Sequence, residues 1–177
     1  MRRNQRFGKA RACVIYDAKS GKHPFNAVLH RYKYARDVSL AVPLSRLLTE
    51  RAPLDPAAYD LIVPVPLHID RLRWRGFNQA QLLAAPLARR AGVPIDAFVL
   101  ERVRATQPQV ELNNVERRRN VVRAFRVAEP ERVRRRRILL VDDVYTTGAT
   151  AHECAKALMR AGGHSVDVLV LARAILH

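Results

Sequence analysis

The sequence predicts an α/β fold with a mainly parallel, twisted sheet flanked by helices, and two observations support that prediction. Residues 137–171 contain an apolar strand pattern, a helix pattern and a second apolar strand pattern, an order typical of a βαβ unit. Such units pair their strands in parallel with a right-handed crossover. The second observation is the apolar triplet Leu61-Ile62-Val63, because strands buried on both faces of a parallel sheet have continuous apolar runs.

Length and composition favour a single globular domain and exclude several other classes of protein. The chain has 177 residues, which favours one domain, and its hydrophobic fraction of 49% excludes wholesale disorder. No apolar run approaches the roughly 18 residues of a membrane span, and the basic start at 1–6 is not followed by the apolar part of a secretory signal. Two cysteines, Cys13 and Cys154, exclude a disulfide-rich scaffold and a four-cysteine zinc site within these residues. We therefore expect a cytoplasmic protein.

The chain is strongly basic, with 32 basic and 16 acidic side chains and a formal net charge of +16. Most of the basic residues are arginines, whose planar guanidinium groups suit phosphates and carboxylates. A basic surface attracts polyanions through counterion release. Genome base composition can give the same excess of arginine, so charge alone leaves a polyanion partner and plain composition equally open.

The amino-terminal half of the domain, which is expected to begin at residue 12 after a basic tail at 1–11, is predicted from local patterns. β-branched residues predict a first strand, and apolar residues spaced by three and four predict the helices that follow. Pro24 suits a first helical turn, Asp37 suits an N-cap, and Pro43 predicts a kink or a late start. The expected elements are a strand at 12–16, a turn at 17–23, helices at 24–33 and 38–51, and a strand at 61–63.

The carboxyl-terminal half is predicted in the same way. Arginines mixed with aromatic residues over 71–79 predict a basic loop, and a stretch rich in Leu and Ala that ends at Gly92 predicts a helix. Gly162 and Gly163 end the helix of the βαβ unit by the same signal. The expected elements are a helix at 80–91, a strand at 98–100, an irregular segment at 101–112, a helix at 113–122, a strand at 125–127, and the strand 137–141, helix 149–161 and strand 166–171 of the unit.

Two adjacent carboxylates, Asp142 and Asp143, come directly after the predicted strand at 137–141. Ligands of open parallel sheets bind beyond the carboxyl ends of the strands, and neighbouring carboxylates repel unless a cation or hydroxyl donors neutralise them. A run of hydroxyl residues and a glycine at 146–150 then leads into a helix whose backbone N–H groups can hold an anion. Acceptors for hydroxyls beside a phosphate cradle suit a sugar phosphate, although either half alone is more often a solvated loop or an N-cap.

The segment Ile138–Thr150 resembles the phosphoribosyl pyrophosphate motif of type I phosphoribosyltransferases, which has four apolar residues, two acids and a phosphate loop with threonine and glycine. Together with further segments it resembles the ComF family of competence-associated proteins. Those segments are Val63–Leu67, Arg75–Ala80, Arg104–Gln107, Arg118–Val121 and Ala124–Phe125. The resemblance covers Ala12 to the C-terminus and implies a type I phosphoribosyltransferase-like fold with a small hood region.

The resemblance implies a phosphoribosyltransferase that binds phosphoribosyl pyrophosphate with Mg²⁺ and is linked to DNA uptake. Asp142 and Asp143 would accept hydrogen bonds from the ribose hydroxyls and reach Mg²⁺ directly or through water. The 5′-phosphate would be held by Thr146, Thr147, Gly148, Ala149 and Thr150. The other implied substrate-binding residues are Lys33, Pro66, Leu67, Arg75, Asn78 and Gln79.

The family resemblance also implies two loops and a further module. The pyrophosphate loop would be Val65–His68, and the hood would be residues 102–112, with Arg102, Arg104 and Gln107 as candidate lid contacts. Family members usually begin with a small zinc-binding module with paired Cys-x-x-Cys motifs, and this sequence contains no such motif.

Some residues keep both a structural and a functional interpretation. Trp74 and Phe77 can stack nucleic-acid bases among the neighbouring arginines, or they can pack the loop. His68 can contact the ligand or lie on a polar surface, the arginines at 132–137 form a solvated turn or a nucleic-acid surface, and Cys154 is predicted to be buried. The alternatives to an enzyme are therefore a nucleic-acid-binding competence factor, with single-stranded DNA or competence proteins as partners, and a non-catalytic sensor of phosphoribosyl pyrophosphate.

Overall fold

A computed structural model of the chain describes residues 7–18, 23–52, 55–105 and 119–175. Its strands are β1 Ala10–Asp17, β2 Leu61–Pro64, β3 Leu100–Arg102, β4 Phe125–Val127, β5 Arg137–Tyr145 and β6 Ser165–Ile175. Within the described ranges, β1, β6, β5 and β2 form a four-stranded sheet in that order, and every neighbouring pair is parallel. The predicted parallel α/β sheet is confirmed.

The helices cover both faces of this sheet. They are α1 Pro24–Tyr34, α2 Ala41–Arg51, α3 Ile69–Arg75, α4 Gln79–Ala91 and α5 Ala149–Arg160. Leu139 and Val141 of β5 pack with α1, α2 and α4, whereas Ile138 and Leu140 pack with α5, because successive side chains of a strand point to opposite faces. Among the helices of the described ranges, none is long and apolar enough to cross a membrane.

The predicted βαβ unit is formed by β5, α5 and β6, but both strands are longer than the sequence pattern indicates. The pairing of β5 with β6 continues to Tyr145, which lies opposite Arg173. Asp142 and Asp143 therefore lie within β5, which corrects the predicted strand end at residue 141. The extension has a physical reason, since β6 runs on to Ile175 and continues to offer hydrogen-bond partners.

The first strand begins before residue 12. Ala10 pairs with Val168, and the Gly8 N–H donates a 2.9 Å hydrogen bond to the Val166 carbonyl. Phe7 is 7% exposed and packs in the core. Residues 7–11 of the expected tail thus belong to the folded domain, because the edge of β6 pairs with them, and residues 1–6 lie outside the described residues.

Two helix starts differ from the predicted pattern. The segment 71–79, expected as a loop, lies mostly in α3, because His68 Nδ1 accepts from the Asp70 N–H at 3.4 Å and Gly76, with φ of 85°, ends the helix. The helix expected from residue 38 begins at Ala41 after a 3₁₀ turn, which is the late start that Pro43 predicts. Asp37 precedes that turn without a side-chain capping bond.

A second, two-stranded sheet adjoins the hood expected at 102–112, of which the structure describes only residues 102–105. β3 and β4 pair outside the central sheet, with Leu100 opposite Val127 and Arg102 opposite Phe125. The strand expected at 98–100 thus begins two residues later, and the strand at 125–127 is as predicted. Gln107 and most of the helix predicted at 113–122 lie outside the described residues.

Candidate active site

A cavity of about 660 Å³ opens at the carboxyl ends of the parallel strands. Its walls come from β1, α1, the segment after β2, α3 and the end of β5. This volume is typical of small-molecule sites. The predicted site residues that line it are Lys33, Pro66, Leu67, Arg75, Gln79, Asp142, Asp143, Thr146 and Thr150, together with Arg102 of the expected hood.

Asp142 and Asp143 point to opposite faces of β5, because successive strand residues alternate. Asp143 is 3% exposed and lies beside Lys33 of α1. Asp142 lies nearer α5, where burial raises the pKa of the Cys154 thiol and the charge of Asp142 raises it further. Cys154 is fully buried, as predicted. The carboxylate pair is therefore divided between the α1 side and the α5 side of the cavity.

Lys33 neutralises the more buried carboxylate. Its Nζ lies 2.9 Å from Asp143 Oδ2, so the two groups form an ion pair. Burial lowers the pKa of Lys33, but Asp143 outweighs burial and the pKa lies above its ordinary value. Burial and the charge of Asp143 raise the pKa of Asp142. Within the described ranges no cation lies within ion-pair distance of Asp142. The ammonium group of Lys33 therefore compensates the charge of both carboxylates, and Asp142 only at longer range.

Arg75 places a buried guanidinium in the cavity wall. It is 4% exposed, and its Nη1 donates a 2.6 Å hydrogen bond to Gln79 Oε1. Among the described residues no carboxylate lies within ion-pair distance of Arg75, and its Nε has no acceptor. Burial lowers the pKa of this guanidinium. The charge of Asp143 raises this pKa only in part, and a buried charge that is not fully compensated fits an anionic ligand.

The predicted phosphate loop connects β5 to α5. Gly148 has φ of 76°, and a Cβ added there would lie 2.6 Å from Cζ of Tyr145, so only glycine fits. Thr146 and Thr150 line the cavity, whereas Thr147 Oγ1 accepts from the Ala149 N–H at 3.4 Å. Thr147, Gly148 and Ala149 do not line it. The loop places the amino end of a helix against the cavity, as an anion site requires.

The segment after β2 forms the opposite wall. Pro66 and Leu67 line the cavity as predicted for the pyrophosphate loop. Asn78 holds this segment, because its Nδ2 donates a 3.1 Å hydrogen bond to the Val65 carbonyl. Its Oδ1 accepts from the Ala80 N–H at 3.0 Å and caps α4. Asn78 therefore positions the wall and does not itself line the cavity.

Four further lining residues with polar side chains come from β1 and α1, and sequence reasoning missed them. They are Tyr16, Asn26, His30 and Tyr34. The last three follow one another at intervals of four residues along α1, and His30 lies three residues before Lys33. Residues three or four apart lie on one side of a helix, so these side chains share the side that presents Lys33. That spacing relative to Lys33 is the signal that could have identified them.

Trp74 and Phe77 have different environments. Phe77 packs against the core with its ring centroid 5.6 Å from that of Tyr32, which supports the packing interpretation for this residue. Trp74 is 48% exposed, and Cζ of Arg36 lies 4.9 Å from its ring centroid. Trp74 is therefore an exposed aromatic residue in a cationic environment.

The carboxylates of the cavity can supply only part of the coordination shell of Mg²⁺, so the ion would be shared with a bound ligand. Within the described residues no group of three or more His, Cys, Asp or Glu side chains is arranged to hold a metal ion. Mg²⁺ commonly takes one or two carboxylates and completes its shell with water and phosphate oxygens. Asp142 and Asp143 are compatible with Mg²⁺ that binds together with a phosphorylated ligand.

The chain is similar to several known proteins. The profile of the phosphoribosyl transferase domain family matches residues 78–175. A DNA utilization protein of Salmonella typhi is 38% identical over 157 residues, covering 86% of this chain and 68% of that protein. Competence protein F of Haemophilus influenzae is 35% identical over 161 residues, covering 85% of this chain and 69% of that protein. The adenine phosphoribosyltransferase structure from Thermoanaerobacter pseudethanolicus has a TM-score of 0.48 at 16% identity, covering 78% of this chain and 83% of that one.

Proposed function

Because this chain belongs to the ComF family of phosphoribosyl transferase domain proteins, we propose that it binds phosphoribosyl pyrophosphate together with Mg²⁺ in the cavity at the carboxyl edge of its sheet. Transfer of the phosphoribosyl group to an acceptor is the proposed reaction. The names of its relatives refer to DNA utilization and to competence, and we extend that link to this chain. A cytoplasmic location stays a prediction from the sequence.

The observation that supports this proposal most directly is the combination of groups in one cavity. Asp142 and Asp143 are acceptors for hydroxyl groups, and Arg75 is a buried guanidinium with no carboxylate within ion-pair distance among the described residues. A simple anion would need only the guanidinium, and a neutral sugar would need only the acceptors. A ribose that bears phosphate groups uses both.

Each part of the proposed ligand has its own group of residues. The ribose hydroxyls donate to Asp142 and Asp143, and the 5′-phosphate lies against the loop 146–150 at the amino end of α5. Arg75 and the segment Pro66–Leu67 face the pyrophosphate. Mg²⁺, held by Asp142 directly or through water, supplies positive charge to the pyrophosphate oxygens when bound.

In the proposed reaction the acceptor donates an electron pair to C1 of ribose, and the C1–O bond to pyrophosphate breaks with its electron pair leaving on the pyrophosphate. The transition state has oxocarbenium character, and the proton that an N–H acceptor loses passes to water or to the departing pyrophosphate. Asp142 fixes the ribose relative to the acceptor, and Arg75 stabilises the charge that develops on the leaving group.

Calorimetric titration of the full chain with phosphoribosyl pyrophosphate and Mg²⁺ tests the binding step. Asp142→Asn removes one charged acceptor, and we expect the affinity to fall about 10- to 100-fold, as for loss of a hydrogen bond to a charged group. Glu50→Gln, which neutralises an exposed carboxylate on α2 with a side chain 51% exposed, is the matched control and should bind as the wild type does.

Two results would contradict the proposal: no heat of binding in the presence of Mg²⁺, or equal affinity in Asp142→Asn and the wild type. Removal of Mg²⁺ with a chelator should weaken binding, because the pyrophosphate loses part of its counter-charge. Release of pyrophosphate in the presence of nucleobases would show that the phosphoribosyl group is transferred. Binding without pyrophosphate release, whichever acceptor is added, would show that the protein is a sensor.

A second candidate function is single-stranded DNA binding at the outer side of α3, and the exposure of Trp74 favours it. Its ring lies near Arg36 and Tyr34, with 6.5 Å between the Tyr34 and Trp74 ring centroids, and Arg73 is exposed on the same helix. Exposed aromatic rings provide stacking surfaces for bases, and the arginines around them provide positive charge for the phosphates. We propose that this surface binds a nucleic-acid strand next to the cavity.

Fluorescence of Trp74, the only tryptophan, reports on this surface directly. A thymidine oligonucleotide should quench it, and the affinity should fall steeply as salt rises. With fluorescently labelled DNA, Trp74→Ala should weaken binding by about 5- to 100-fold, the value of one stacking contact. Phe98→Ala, which removes a 76% exposed aromatic ring elsewhere, is the control. Equal affinity of the two variants would reject the Trp74 surface.

A further inference from the structure

A second groove, of about 300 Å³, lies between β4 and α5 and shares no described lining residue with the candidate active site. Four cationic side chains surround it, Arg123 and Arg126 on the β4 side and Lys156 and Arg160 on α5. Lys156 and Arg160 are four residues apart on one helix, where like charges repel.

Carboxylates compensate only part of this charge. Glu153 is 9% exposed, accepts a 2.9 Å hydrogen bond from the Arg123 N–H and lies 3.3 Å from Lys156 Nζ. Glu101 pairs with Arg126 at 2.8 Å. In the described part of the chain, no carboxylate lies within ion-pair distance of the Arg123 or Arg160 side chain. Four cations against two carboxylates leave a charge of about +2, which matches the charge of a phosphate monoester.

The floor of the groove is apolar. Phe125, which is 8% exposed, forms it together with Ala157 and Ala161 of α5. Cζ of Arg102, which lines the candidate active site, lies 5.5 Å from the Phe125 ring centroid. The ring therefore stands between the groove and the cavity. An apolar floor beside guanidinium groups that have no ion-pair partner among the described residues suits a ligand that has both a ring and a phosphate.

We propose that this groove binds the phosphate group of a nucleotide, as a site separate from the proposed phosphoribosyl pyrophosphate site. The guanidinium groups of Arg123 and Arg160 present the paired N–H donors that match phosphate oxygens. Arg126 and Lys156 add positive charge, and the base lies on Phe125 and Ala157. The phosphate belongs either to a free nucleotide or to a nucleic-acid strand, since both offer the same chemistry.

Methyl NMR of the full chain separates this groove from the main cavity. The methyl groups of Ala157 and Ala161 report on the groove, and the methyl group of Thr150 reports on the cavity. With AMP or a short thymidine oligonucleotide, we expect saturable shifts of the Ala157 and Ala161 signals at millimolar ligand or below. The affinity measured from these signals should fall about tenfold in Arg160→Glu, the loss of one charge-assisted contact.

Arg89→Glu is the matched control, because Arg89 is an exposed arginine in the last turn of α4 as Arg160 is in α5. It changes the net charge equally and should leave the affinity at the groove unchanged. Shifts with AMP identify a free nucleotide, and shifts with the oligonucleotide alone identify a strand. Unmoved Ala157 and Ala161 signals with both probes at millimolar concentration, or equal losses in the two variants, would overturn the proposal. Neither result depends on binding of phosphoribosyl pyrophosphate.

Discussion

Two arginine-rich segments, Arg71–Arg75 and Arg132–Arg137, have similar compositions and opposite environments. In the second segment three of the five guanidinium groups pair with carboxylates: Arg132 with Asp96 at 2.6 Å, Arg134 with Glu131 at 2.8 Å and Arg137 with Asp60 at 2.7 Å. In the first, Arg75 is buried in the cavity wall, and no carboxylate of the described ranges is within ion-pair distance. The function of an arginine in this chain therefore depends on whether the fold supplies its counter-ion.

The same contrast explains why a net charge of +16 could not by itself identify a partner. Paired surface arginines join segments of the chain and add little free charge. Burial of a guanidinium that has no ion-pair partner costs desolvation free energy. A ligand that brings negative charge to the site offsets this cost. The predictions below alter one side of this comparison at a time.

Loss of the ion pair inside the cavity should have the largest effect on stability. Lys33→Met leaves Asp143, whose side chain is 5% exposed, without the ammonium that lies 2.9 Å away. Breaking a buried pair by removing one partner costs about 3 kcal/mol, because the other charge stays buried. Chemical denaturation should show a decrease of this size in the free energy of unfolding.

The double variant Lys33→Met/Asp143→Asn is the control for that prediction. It removes the remaining charge as well, so it should recover most of the lost stability. A single variant as stable as the wild type, or a double variant as unstable as the single one, would show that the ion pair does not compensate Asp143.

Replacement of the buried arginine should reduce binding while leaving the fold intact. Arg75→Met removes a guanidinium that is 4% exposed, and we expect the affinity for phosphoribosyl pyrophosphate to fall about 10- to 100-fold. The free energy of unfolding should stay equal or rise, since a desolvated charge is replaced by an apolar side chain. Arg73→Met, an exposed position on the same helix, is the control and should change neither quantity. A destabilised Arg75→Met variant with normal affinity would assign Arg75 a structural role.

The central sheet and the turn that precedes α5 could be predicted from the sequence because their signals are local. The apolar run Ile138–Val141 indicates a buried strand, and Gly148 indicates a turn that starts a helix. By contrast, α3 was predicted as a loop because its composition is basic and aromatic, while its end signals, His68 and Gly76, are single residues.

The division of the carboxylate pair could not be predicted from local patterns. It depends on the length of β6, which keeps Asp142 and Asp143 within a strand and turns them to opposite faces. The ion pair of Asp143 with Lys33 joins residues far apart in the sequence, and no spacing rule indicates it. The helical spacing of Cys154 with Ala151, Ala155 and Leu158, in contrast, correctly predicted a buried residue.

The pairing of Arg137 with Asp60 should make stability depend on pH. Hydrogen bonds from the Arg137 side chain and N–H hold the pKa of Asp60 well below its ordinary value. Ionised Asp60 therefore stabilises the fold above the ordinary carboxyl pKa of about 4, and this contribution is lost as the pH falls below it. Asp60→Asn should lower the melting temperature at pH 7, and the difference from the wild type should shrink in acid. A difference that stays constant down to pH 2 would contradict this reading.

Arg134→Ala should have the smallest effect, because its ion pair lies in solvent. The Arg134 and Glu131 side chains are 59% and 73% exposed and are three residues apart in one turn. Water and salt screen such a pair, so the free energy of unfolding should change by less than about 0.5 kcal/mol. Ligand affinity should not change either, because Arg134 does not line the cavity. A decrease of more than about 1 kcal/mol in the free energy of unfolding would mean that surface arginines contribute substantially to stability. Arg134 and Arg75 would then differ less in function than their environments indicate.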